Sequence, residues 1–259
     1  MEIMEFLAGS PLLVVIESAL LGLIVGSFLN VVIHRLPKMM MRDWRLQCHE
    51  LQGTTPVDAD MEPYNLNVPR SHCPGCHHAI SIWENIPVIS YLILRGRCKE
   101  CGQLISIRYP LIETLTAVLS ALVAWQFGFS WQTAAALLLT WALVPLIFID
   151  LEHQLLPDDI TLPLLWLGLG LSLFGIFTDP ASAILGAMAG YLSLWSVYIA
   201  FKLLTGKEGM GYGDFKLLAL FGAWLGWQAV PLIIILSSLV GSIVGITLIL
   251  LRRHQRDIP

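Results

Sequence analysis

Seven long apolar runs limit what this chain can become: 11–34, 111–129, 131–149, 159–177, 181–204, 214–229 and 230–251. Most reach the roughly 20 residues that a helix needs to cross a bilayer. None alternates as a barrel strand does, and an open sheet in hydrocarbon leaves backbone groups unpaired, so the runs predict helices. At 56% hydrophobic and 13% charged residues, the chain lies outside soluble composition. The expectation is an all-α polytopic membrane protein of seven transmembrane helices, or eight. The run 214–229 is the weakest, since Gly222 and Gly226 interrupt it, and it reads as tilted or re-entrant.

Charge sets the orientation. Every Lys and Arg falls in four places: between Arg35 and Arg108, at Lys202 and Lys207, at Lys216, and between Arg252 and Arg256. Positive residues mark the cytoplasmic side. With the N-terminus periplasmic and the C-terminus cytoplasmic, all four clusters fall inside, and the outer loops 126–132, 178–180 and 226–228 carry no cation. The first run reads as an anchor, not a cleaved signal, because Glu2 and Glu5 stand where a signal peptide carries positive charge.

Three domains are expected: a first transmembrane helix over 1–36, a cytoplasmic segment over 37–109, and a membrane core over 110–259. The cytoplasmic segment holds all five cysteines. Its first part, through Pro69, is polar and rich in Pro and Asp, and reads as irregular loop. Its second part contains Cys73-Pro-Gly-Cys76 and Cys98-Lys-Glu-Cys101, separated by 21 residues. Two such turns can deliver four thiolates to a tetrahedral zinc. A reducing cytosol disfavours disulfides, and a redox dithiol, the alternative, needs only one pair. A four-thiolate zinc has no open position, so its expected role is structural. Cys48 reads as an ordinary thiol, and His77 and His78 as solvated neighbours.

Acidic residues beside hydrocarbon are costly and tend to be functional. Asp150 ends the run Leu146-Ile-Phe-Ile-Asp150, and Asp214 follows Gly211-Tyr-Gly213 at the start of another run. The seven-span topology puts both at the cytoplasmic boundary. Peptide hydrolysis by two aspartates needs one carboxylate ionised, to activate water, and one protonated, to polarise the carbonyl; close like charges in a low dielectric supply that mixed state. Gly211 and Gly213 would let backbone approach an extended substrate. Against this stand plainer roles: Asp214 as an N-cap of a helix beginning at Phe215, and Asp150 as a boundary residue snorkelling to the headgroups. Asp158 competes with Asp150 for catalysis but reads better as the N-cap of the fourth span. Glu152 and His153 read as headgroup-level residues, and Glu17 and Glu113 as candidates for a polar cavity.

At this point the chain resembles the type IV prepilin peptidases, the bifunctional leader peptidase/N-methyltransferases of pilus and type II secretion systems. The likeness rests on Gly26-Ser-Phe-Leu-Asn-Val-Val-Ile-His-Arg-Leu-Pro37, the paired cysteine turns, Arg108-Tyr-Pro-Leu-Ile-Glu113, Phe148-Ile-Asp-Leu-Glu-His-Gln-Leu-Leu-Pro-Asp158 and Gly209-Met-Gly-Tyr-Gly-Asp-Phe-Lys-Leu217. It implies catalysis by Asp150 and Asp214. It also implies cleavage of a short basic leader after a glycine, then methylation of the new N-terminal amine from S-adenosylmethionine, in a Gram-negative inner membrane. Prepilins, pseudopilins and the lipid bilayer are the implied partners, with no nucleic acid; the sequence does not fix the oligomeric state. The methyl-donor site is assigned to the first loop and its flanks, with Gly96 and Glu113 as candidates, although Gly96 equally suits a structural turn before Cys98. Glu50, Asp58, Asp60 and Glu62 either attract the basic leader or form a solvated loop. Two other classes stay in view: a transporter or ion pathway relaying through Asp150, Asp214, Glu17 and Glu113, and an inactive clamp for prepilins.

Overall fold

A computed structural model describes residues 10–55 and 63–256. Glu2, Glu5, Asp58, Asp60 and Glu62 lie outside the described residues, as do the side chains of Arg252, Arg253 and Arg256. Eight helices are found among the described residues: α1 (Pro11–Gln52), α2 (Ile89–Ile93), α3 (Arg108–Phe127), α4 (Trp131–His153), α5 (Asp158–Ser172), α6 (Pro180–Thr205), α7 (Tyr212–Leu225) and α8 (Ala229–Arg256). No strand occurs there beyond two isolated antiparallel bridges, His72 with Ala79 and Arg97 with Leu104.

All seven apolar runs fold as helices, but among the described residues only five helices are long and apolar enough to cross a membrane: α1, α3, α4, α6 and the Ala229–Thr247 part of α8. The other two are shorter. α5 has 15 residues and α7 has 14, rising about 22 Å and 21 Å at 1.5 Å per residue, below the ~30 Å of hydrocarbon. Large side chains such as Leu20, Ile24 and Phe28 of α1 lie exposed, as expected where lipid is the solvent.

Local signals set the helix ends. Ser130 accepts the Thr133 amide at the start of α4, and Asp179 accepts that of Ser182 at the start of α6. Each cap satisfies one of the amides a first turn leaves over. Gly53 ends α1 in the left-handed region, with its amide on the Glu50 carbonyl and that of Thr54 on His49.

One expectation fails here. The stretch from Pro37 to Gln52 is no irregular loop: α1 runs on through a buried Pro37, for 42 residues in all. A proline inside a helix normally breaks it. Here Lys, Met, Arg, Leu, Gln and Glu, all good helix formers, dominate residues 38–52 and carry the helix onward. Beside Pro37, the buried Arg35 donates to the carbonyls of Asn65 (2.8 Å) and Pro69 (2.5 Å) and lies over the Tyr64 ring. It ties the returning chain to α1.

The chain divides into two compact units, Met1–Leu155 and Leu156–Pro259. In the first, α1 and α3 meet through small residues. A Cβ added at Gly22 would stand 2.5 Å from Ser120 Oγ, and one at Gly26 would stand 2.8 Å from the Glu113 Cα. Ser120 donates to the Thr116 carbonyl and accepts from Trp141 Nε1, which joins α4 to the seam. In the second unit, α6 and α7 approach more closely still: a Cβ at Gly186 would lie 2.2 Å from the Gly222 carbonyl oxygen. In lipid, helices associate through such close packing because apolar burial gains little there. Buried Trp224 of α7 donates to the Leu164 carbonyl at 2.8 Å and fastens α5.

Candidate functional site

The four cysteines of the two turns converge, with all their sulfurs within 4.8 Å of one another. Each turn is built alike. The Cys73 amide donates to the His78 carbonyl while His77 donates back to Cys73; Cys98 and Gly102 repeat the pattern with Gln103. None of the cysteines is disulfide-bonded. Four sulfurs about 2.3 Å from a central zinc would stand about 3.8 Å apart. Cys73–Cys101 at 3.7 Å and Cys76–Cys98 at 3.9 Å match that spacing. The amides of Cys76 and Gly75 bring the Cys73 thiol down to about 6. The His78 amide also favours the Cys76 thiolate, but burial and the neighbouring sulfurs outweigh it and push Cys76 up to about 12. The first proton leaves easily and a later one with difficulty, which is the behaviour of a donor set that a dication would relieve. The residues fit a metal.

Around this centre His77 is exposed, as expected, and His78 is not. His78 is not merely solvated: it lies 3.3 Å from Glu84 Oε2. Glu84 is held down to about 2 by the Ser81 amide and hydroxyl and by His78. His77 stacks on His72, with ring centroids 5.5 Å apart.

Gly96 occupies the left-handed region (φ +67°), where its amide bonds the Tyr91 carbonyl and its own carbonyl accepts from Ile105. A Cβ there would meet the Tyr91 hydroxyl at 2.9 Å. These contacts are those of a structural turn. Glu113 is buried on α3 and accepts the Val88 amide at 2.8 Å. Glu17, by contrast, is exposed on α1. Glu50 is exposed in the last turn of α1.

In the first unit, Asp150 is exposed in the final turn of α4, next to fully buried Ile149, and its carbonyl accepts the Gln154 amide that closes the helix. Glu152, expected merely at headgroup level, pairs with Arg108, whose guanidinium lies over Phe148. In the second unit, α7 begins earlier than expected. Gly211 is its N-cap, and Asp214 lies exposed inside the first turn instead of capping a helix from Phe215. A carboxylate there faces the positive end of the helix dipole. A Cβ on Gly211 would stand 3.9 Å from Asp214 Oδ2, whereas one on Gly213 would strike the Leu156 side chain at 2.8 Å. Asp158 is not a cap either. Pro157 holds that position, and both Asp158 oxygens accept from Lys216 Nζ at 2.7 Å.

Sequence reasoning passed over the seams. Their signal was present, in Gly22-x-x-x-Gly26 and Gly186-x-x-x-Gly190, each small residue one turn from the next.

Several apolar helices of crossing length, a four-sulfur centre and carboxylates at helix ends define a multi-pass membrane protein with a four-cysteine cluster able to hold a metal. The bacterial peptidase A24 N-terminal domain matches residues 20–127, and the type IV leader peptidase family matches residues 137–246. A prepilin leader peptidase/N-methyltransferase of Pseudomonas aeruginosa is 56% identical over 259 residues, all of this chain and 89% of that one. The protein of the same name from Aeromonas hydrophila is 58% identical over 257 residues, covering 99% and 89%. That from Neisseria gonorrhoeae is 54% identical over 231 residues, covering 89% and 81%. No solved structure matches. The chain belongs to the type IV leader peptidase family.

Proposed function

We propose that this chain removes the short basic leader from type IV prepilins and pseudopilins, then methylates the new N-terminal residue. The single observation that carries this is identity above half, over the whole chain, to proteins named for both activities.

The peptidase dyad is Asp150 with Asp214. What supports it is the position of each carboxylate at a helix end, together with the family motifs around them. The ionised member takes a proton from water as the water oxygen attacks the scissile carbonyl. The protonated member hydrogen-bonds the carbonyl oxygen, and the departing amine collects the proton as the amide bond breaks. Gly211, with no side chain beside Asp214, leaves room for an extended substrate; Gly213 and Asp158 support the loop by packing on Leu156 and binding Lys216.

Cys73, Cys76, Cys98 and Cys101 would hold a zinc ion, which would fold the two turns together and carry no chemistry of its own. S-adenosylmethionine supplies the methyl group. Gly96 and Glu113 belong to the donor region and act there by shaping its turns. The chain resides in the inner membrane, with α5 and α7 completing a seven-span arrangement through their flanking turns. The absence of Lys and Arg from loops 126–132, 178–180 and 226–228 supports a periplasmic N-terminus and a cytoplasmic C-terminus.

Cleavage of a purified prepilin by the full chain in nanodiscs, with product masses recorded, tests this. Asp150→Asn and Asp214→Asn should each lower the rate by about 10²–10⁴-fold, while Asp158→Asn still cuts. Cutting by Asp150→Asn with failure of Asp158→Asn would overturn the first assignment. A product one methyl heavier appears only with S-adenosylmethionine.

A further inference from the structure

Between the two cysteine turns the chain shows its apolar side chains to the outside. Ile82 and Trp83 on a 3-10 turn, and Ile89, Leu92 and Ile93 on α2, are each more than half exposed. The last three are spaced i, i+3, i+4 and share one face of α2. A loop surrounded by water rarely presents so contiguous an apolar cluster.

The turn before α2 is unusual too. Val88 has φ +59°, a strained conformation for a β-branched residue. Its amide is held by Glu113, a buried carboxylate five residues along α3 from Arg108. Five residues rise about 7–8 Å along the axis. The Val88 turn is therefore fixed at that height on a membrane-spanning helix, not at its end. Apolar surface also continues from exposed Ile107 onto Leu111 of α3. Beyond α2 come exposed Arg95, Arg97 and Lys99, suited to anionic headgroups.

We propose that residues 82–93 form a monotopic membrane anchor. Trp83 and the Ile89/Leu92/Ile93 face lie in the lipid, and Glu113 is the latch that sets their height. An interfacial helix buries its apolar face about 5–10 Å into the boundary between headgroups and acyl chains, a depth comparable to the height of the Glu113 contact above the start of α3. The anchor holds the four-cysteine module against the bilayer instead of leaving it on a free tether.

Photo-crosslinking of the full chain in nanodiscs of phosphatidylethanolamine and phosphatidylglycerol tests this. p-Benzoylphenylalanine replaces Ile93, exposed Leu122 of α3 as the lipid-facing reference, or exposed Ser71 as the aqueous one. Position 93 should give lipid adducts within about twofold of position 122 and well above position 71. Adducts at 93 no better than at 71 would overturn the anchor, as would crosslinks at 93 to a second copy of the chain or to another protein. Absence of adducts at 122 would overturn the membrane span of α3 itself, so the two failures are separable. Glu113→Ala should lower the yield at 93 severalfold and leave 122 unchanged, and Glu113→Gln, which keeps an acceptor, should retain it. Equal yields at 93 in Glu113→Ala and the unsubstituted chain would refute the latch. If the alanine variant fails to fold, a lowered yield at 93 in the folded glutamine variant would refute it instead.

Discussion

Four sulfurs packed within 4.8 Å cannot all ionise without a cation between them. Cys73→Ser or Cys101→Ser should therefore take bound zinc from about one equivalent to near none, measurable by atomic emission on the purified chain. Glu84 titrates in another way. Its folded value, about 2, lies below the ordinary 4.5, so its contribution to stability is complete above about pH 4.5 and disappears as pH falls through about 2. Exchange protection of the Ser81 amide, which donates to Glu84, should decline across that window. Glu84→Gln should show weaker protection at neutral pH and no such decline. The Asp158–Lys216 pair, partly exposed, is worth under about 1 kcal/mol. Asp158→Asn should therefore barely move the midpoint of thermal unfolding.

Individual helices are decided by their flanks, and pairs of helices by what is missing between them. The caps Ser130 and Asp179 and the stop at Gly53 are local sequence statements. Ser130→Ala should cost about 1 kcal/mol, read by denaturation in detergent. The seam between α6 and α7 is a different case. With the Gly222 carbonyl oxygen only 2.2 Å from where a Gly186 Cβ would stand, two backbones must part to admit any side chain. Gly186→Leu should cost about 3 kcal/mol or more, whereas Gly170→Leu, at an open position on α5, should cost far less. Comparable losses at both sites would remove close packing as the explanation. The second half of α1 also belongs to this scale, because Arg35 and its two carbonyl partners bind residues 63–70 beside Pro37.

Across the molecule, the helix seams and the four-cysteine centre are held by different means. The seams of each unit lie in helices that lipid surrounds, while the cysteine turns have no comparable apolar core: of the large side chains between residues 82 and 107, most are exposed. Chelation should then loosen the cysteine turns, residues 71–81 and 94–107, and leave α3, α4 and α6 protected from exchange. Hydrogen-exchange mass spectrometry of the full chain would show this, and uniform loosening would contradict it.

Much of this was legible in the chain itself. Every apolar run became a helix, because hydropathy over about 20 residues and the capping residues at its ends are local properties. The cysteine spacing announced a four-sulfur centre for the same reason, since each CxxC turn closes within itself. What the sequence could not decide was non-local. Whether Pro37 ends α1 depends on Arg35 reaching residues 65 and 69. Whether Asp158 caps a helix or pairs with Lys216 depends on α7 lying beside α5. The seams at Gly22 and Gly186 exist only because a particular partner helix fills the space where a Cβ would be. Lipid gives helices no strong reason to associate, so that choice falls to steric fit, which appears only in the tertiary structure.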